Sequence, residues 1–216
     1  MKNEWPWVAL ALLGAYHGLN PAMGWLFALS LGLQNKSRQA VLQALLPISL
    51  GHAAAISLAV FSVEIFQSVL SLSSLRRLVA FTLFAFGLYR AIRARHPRGG
   101  GMRVGFKDLA FWSFLMASAH GAGLMLAPIL LAQPMLAMNH STNTAGAHLR
   151  TINGRVLGMA VVIHTLGLVF VAGILALVCY QSYHKSGLRI LQRAWFNFDL
   201  LWAIALFVAA TAALLL

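Results

Sequence analysis

Six apolar stretches, each long enough to cross a bilayer, are separated only by short and mostly basic breaks. A hydrocarbon core about 30 Å thick takes about 20 apolar residues per helix. By that measure the spans run over 6 to 34, 40 to 62, 74 to 94, 108 to 136, 155 to 181 and 194 to 215. Hydrophobic residues make up 60% of the 216 and charged ones 9%, against roughly 25% charged in a soluble domain. The chain therefore reads as an all-α integral membrane protein. Lys2 ahead of the first run faintly imitates a secretion signal, but the apolar run continues to about Gln34, which marks an uncleaved first helix.

The net charge of +12 lies between the apolar runs, so it implies anionic lipid head groups and no nucleic acid. Eleven Lys and Arg fall in the first, third and fifth breaks, among them Lys36, Arg38, Arg90, Arg93, Arg98, Arg103, Lys185 and Arg193. Five, Lys2, Arg76, Arg77, Arg150 and Arg155, fall on the other side. The positive-inside rule then places both termini outside, in a plasma membrane of the bacterial inner-membrane type. Cys179 is the only cysteine, which excludes an intrachain disulfide and paired-thiol redox chemistry.

Four histidines lie deep inside the apolar runs and form two matched pairs: His17 and His52, then His120 and His164. A titratable ring in hydrocarbon is costly and marks a functional site by default. The segment Arg93 to Arg103 separates the runs into residues 1–97 and 98–216. Each half reads as a histidine-glycine helix, a second histidine helix and a third helix without histidine. Three helices per half is an odd number, so the halves are expected to be inverted three-helix repeats of one membrane domain, with sites near the midplane. At about 1.5 Å per residue all four histidines approach the bilayer centre.

The first helix of each repeat is expected to be broken or kinked. His17-Gly18-Leu19-Asn20-Pro21-Ala22-Met23-Gly24 sets a proline between two glycines, and His120-Gly121-Ala122-Gly123 is followed by Pro128. Proline removes a backbone donor, and the carbonyls so freed become available to an ion. Neutral imidazole suits first-row transition metals. The expected metal ligands are His17, His52, His120 and His164, with Asn20 adding an oxygen and Met23 a thioether. The four carboxylates, Glu4, Glu64, Asp108 and Asp199, stand towards span ends and argue against a calcium or magnesium cage. Taken singly, a membrane histidine is as readily explained by hydrogen bonding between helices. The glycines are as readily explained by close helix packing, and the methionines by core filling.

The segment His17-Gly18-Leu19-Asn20-Pro21 resembles the His-Ala-Leu-x-Pro element in the first helix of the NicO-type nickel/cobalt exporters. Ser49-Leu50-Gly51-His52 resembles their second-helix histidine segment. Each match covers about five residues. Met23 stands where the family pattern usually carries a second histidine, and the 90 to 107 break is rich in arginine, with His96 in place of a histidine-rich loop. The resemblance implies the lysine-exporter plan of two inverted three-helix repeats. It also implies secondary transport, outward, of a divalent transition-metal ion, with Ni, Co, Zn and Cu all open as the cargo. Proton exchange is the natural coupling, since protons compete for imidazole as pH falls through about 6.5.

The alternative is a membrane haem protein that uses the histidines as axial pairs for transmembrane electron transfer, the neighbouring glycines giving room to a porphyrin. No His-Glu-x-x-His or Gly-x-Ser-x-Gly motif is present, so the chain is not expected to be an enzyme. A homo-oligomer is left open. His96, His140, His148 and His184 are read as loop residues, and Asn139-His140-Ser141 as a weak glycosylation pattern.

Overall fold

A computed structural model of the chain describes residues 5–92, 105–131, 154–186 and 198–215. Every regular element among the described residues is helical. Helix α1 spans Trp5–Leu19 and ends in a 3-10 turn at Pro21–Met23, which leads into α2, Trp25–Gln34. Then follow α3, Arg38–Val69, and α4, Leu72–Ile92. Helix α5, Phe106–Ala119, passes through a second 3-10 turn at Leu124–Leu126 into the short α6, Ala127–Leu131. Helices α7, Gly154–Ser186, and α8, Phe198–Leu215, complete the chain.

Three single helices are long and apolar enough to cross a membrane: α3 over Arg38–Gln67, α4 over Leu72–Tyr89 and α7 over Gly154–Tyr183. The bent pair α5 and α6 makes a fourth if it is taken as one span, with an angle of 49° at the break. The first apolar run is divided into α1 and α2, of 15 and 10 residues. The apolar part of α8, Trp202–Leu215, is also shorter than a full span. Leu42, Leu46, Phe61, Phe81, Val162, Leu166 and Phe170 stand exposed on the outside of the bundle, the surface that hydrocarbon would cover.

The helices pair crosswise along the chain. Helix α1 lies along α7, α3 along α5 and α4 along α8, with α3 also touching α7. Glycine permits the closest of these approaches. A Cβ on Gly14 would collide with the His164 carbonyl oxygen, one on Gly51 with the Ala110 carbonyl, and one on Gly18 with the backbone of Leu168. Ser113, fully buried, donates its hydroxyl to the Ile48 carbonyl at 2.8 Å and pins α5 to α3 one residue beyond Pro47.

The boundary between residues 97 and 98 lies outside the described residues. So do the basic segment around His96, the stretch carrying Asn139, His140, His148 and Arg150, and the basic residues Arg189 and Arg193. The side chains of His184 and Lys185 are likewise outside them.

Candidate functional site

Both first-helix histidines stand where a helix stops, and the same local chemistry holds each of them. His17 is in the last turn of α1, and its Nδ1 lies 2.7 Å from the Leu13 carbonyl. His120 caps the C-terminus of α5, with its Nδ1 2.6 Å from the Met116 carbonyl. A carbonyl can only accept, so each Nδ1 carries the proton and donates it four residues back. The tautomer is thereby fixed, with Nε2 holding the lone pair. Second-partner bonds of this type orient imidazole ligands in metal sites.

The breaks keep the chain's polar backbone satisfied. Asn20 N–H donates to the His17 carbonyl at 3.1 Å, and the indole Nε1 of Trp25 donates to the Leu19 carbonyl at 3.2 Å. At the second break, the indole Nε1 of Trp202 donates to the His120 carbonyl at 2.9 Å. At each break, then, a tryptophan caps a carbonyl that the interrupted helix leaves over, which is how a broken helix is tolerated away from water. Gly24 and Gly121 carry the reversals at φ of 120° and 67°, a region that side chains with a Cβ avoid.

Three of the four histidines meet. The ring centroids of His17 and His164 are 4.8 Å apart, those of His52 and His164 5.5 Å, and those of His17 and His52 5.6 Å. All three residues are 0% exposed. The fourth, His120, packs against the Trp202 ring, whose centroid is 5.2 Å from that of His120 and 4.7 Å from that of His17. Tyr16 stacks on Trp202 at 5.2 Å and holds it in place.

Asn20 and Met23, the other two expected ligands, have neighbours of their own. Asn20 turns its side-chain oxygen to the Ala22 N–H at 3.0 Å and caps the 3-10 turn, so the amide serves the backbone of the break. Met23 is fully buried in an apolar cluster with Val63, Leu75, Leu168 and Trp202, which makes it core.

The three meeting rings leave polar atoms without partners. Nε2 of His17 and both ring nitrogens of His52 and His164 are buried with no hydrogen bond. The Leu10 carbonyl lies near the His164 ring without reaching hydrogen-bond geometry. Hydrogen bonding between helices, the ordinary explanation of a membrane histidine, is therefore not what these nitrogens do. Each unpaired buried group costs about 1–3 kcal/mol, so five in one spot call for a ligand. Three imidazoles around one tetrahedral ion, with metal–nitrogen distances near 2 Å, hold their centroids about 5 Å apart, and the observed spacings match. The ring orientations do not yet gather the nitrogens. The His52 and His164 rings are parallel within 5°, and among the described residues no three His, Cys, Asp or Glu form a ready ion-binding group.

Sequence reasoning missed Trp202, Tyr16 and Ser113. Trp202 carried a usable signal, because a tryptophan within an apolar run, away from the interface where the residue usually sits, has an N–H that needs a buried acceptor.

Fold and site together define an all-helical protein, with apolar helices of membrane-spanning length around a buried cluster of three histidines. No family model, curated protein or solved structure matches the chain.

Proposed function

We propose that this chain is a secondary transporter that passes a transition-metal ion across a membrane, by way of His17, His52 and His164. The observation that carries the reading is the set of five unpartnered ring nitrogens in three touching, fully buried histidines. Rotation of the rings about their side-chain torsions would bring nitrogens from α1, α3 and α7 onto a common ion without moving a helix. The broken α1 and α5 supply the local freedom that alternating access requires.

The crosswise pairing of α1 with α7, α3 with α5 and α4 with α8 supports two inverted three-helix repeats, because exchanging the halves maps each pair onto another or onto itself. On this reading the shorter α1–α2 and α8 segments complete six crossings of a bacterial inner membrane, with both termini outside. A reporter fused at residue 100 then reads as cytoplasmic; an external reading overturns the orientation.

The direction proposed is outward, with protons entering as metal leaves. Everted membrane vesicles carrying the chain should accumulate metal when a proton gradient is imposed, tested singly with nickel, cobalt, zinc and copper. Vesicles carrying His52→Ala should behave as empty ones. Accumulation no greater than that of empty vesicles for every metal ends the reading.

Haem is disfavoured by packing. The faces of Gly18 and Gly51 that would admit a porphyrin are filled by the backbones of Leu168 and Ala110, and the three rings touch one another directly.

A further inference from the structure

We infer that the cargo is a soft, singly charged cation of the cuprous type, in place of the divalent ion that the sequence resemblance implies; this rests on the metal reading above. The coordination number is the first ground. Three imidazoles are gathered in mutual ring contact, His120 packs on Trp202, and the Asn20 oxygen is engaged in a cap. Zinc in proteins takes four ligands, and nickel takes square-planar or higher sets. Catalytic zinc completes its set with water, whereas His17, His52 and His164 are fully buried in this conformation. A cuprous ion, singly charged and soft, accepts three neutral donors.

Charge is the second ground. The whole chain carries four carboxylates. Glu64 lies twelve residues past His52 on the unbroken α3, about 18 Å along the axis. Asp108 is at the far end of α5 from His120, where its Oδ2 accepts the Gly105 N–H at 2.9 Å. Glu4 precedes α1, at the opposite end of that helix from His17. Only Asp199, three residues before Trp202 on α8, is close in sequence to a residue of the site. A neutral ligand set leaves the ion's full charge in a low dielectric. The cost of burying that charge grows as its square, so a doubly charged ion is penalised about four times as heavily as a singly charged one. Many zinc sites offset this with thiolate or carboxylate ligands, whereas the three residues in ring contact here are all histidines.

Softness of the surroundings is the third ground. Met125, buried, shares an apolar cluster with Trp202, whose ring borders His17. Thioethers are soft donors that select Cu(I), and they suit the next step of a path leading from the imidazoles.

The test is an anaerobic titration of the purified full chain in detergent with ascorbate-reduced Cu(I) against a competing chelator. Ag(I) serves as a redox-inert stand-in, and Zn(II), Ni(II) and Co(II) are titrated in parallel. The expected result is one Cu(I) or Ag(I) per chain, held about 100-fold more tightly than any of the three divalent ions. X-ray absorption of the Cu(I) form should show three nitrogen neighbours at about 2 Å. Asp199→Asn should keep the same preference. Zinc, nickel or cobalt bound as tightly as Cu(I) overturns the inference and leaves the transporter reading standing, as does an Asp199→Asn variant that has lost the preference. Binding of none of these ions removes both.

Discussion

The indole nitrogen of Trp202 donates to the backbone carbonyl of His120 at 2.9 Å, with both residues at or below 2% exposure. One side chain from α8 thus satisfies the end of α5 and packs its ring on both His120 and His17. Trp202→Phe keeps the ring stack on Tyr16 but leaves that carbonyl unpaired. A loss of about 1–3 kcal/mol is expected, read as a lower unfolding midpoint in detergent. Trp202→Ala also opens a cavity and should cost more, about 3–5 kcal/mol. A Trp202→Phe variant as stable as the parent would show that the bond contributes nothing.

The metal site divides the four histidines unequally. Replacing His17, His52 or His164 by alanine removes a ligand and should weaken binding more than about 100-fold, beyond the 10–100-fold that an outer partner contributes. His120→Ala should retain the ion at parental stoichiometry, measured by elemental analysis of the purified protein. Equal losses for all four would restore the four-ligand site and contradict the position of Trp202.

Asn20 is expected to act on stability. Its oxygen caps the turn at Pro21–Met23, so Asn20→Ala should cost about 0.5–2 kcal/mol and Asn20→Asp much less. Metal affinity measured in the same samples should change little. A large loss of affinity with unchanged stability would make Asn20 a ligand after all.

Gly14 and Gly51 set helix spacing at the site itself, because the carbonyl that blocks a Cβ at Gly14 belongs to His164. Gly14→Ala and Gly51→Ala should each destabilise by about 1–3 kcal/mol through overpacking. Gly158→Ala, whose Cβ would meet nothing within 4 Å, should be neutral or gain about 0.5–1 kcal/mol from helix propensity. Thermal unfolding of the three variants side by side is the check.

Acid should release the ion. Imidazole ligates only when neutral, and each proton bound removes a donor, so affinity falls as pH is lowered and is fully present once the histidines are deprotonated. Competition titrations from about pH 8 down to about pH 5, bracketing the ordinary histidine value near 6.5, should show weakening in that direction alone. Affinity that rises as the pH is lowered would exclude imidazole as the ligand.

The apolar runs fixed the helical class, because barrel strands alternate apolar and polar residues, and a continuous apolar run satisfies its own backbone without water as helix. They also located α3, α4 and α7 to within a few residues at their N-terminal ends. The breaks after His17 and His120 were equally legible, since the composition of each segment, glycines with a proline, is incompatible with smooth helix. Helix length was less so. The first run continues past the break as α2, and whether two half-helices make one crossing depends on how they pack, which no local pattern encodes. Matched depth along separate helices suggested that four histidines meet, but depth is one coordinate of three. Rotation about each helix axis and the entry of Trp202 from α8, 82 residues beyond His120, chose three of them. The spacing of His17 from Leu13, and of His120 from Met116, determined each tautomer from sequence-local geometry. Tertiary packing decided that five other ring nitrogens would find no partner, because it alone sets which surfaces face one another across helices.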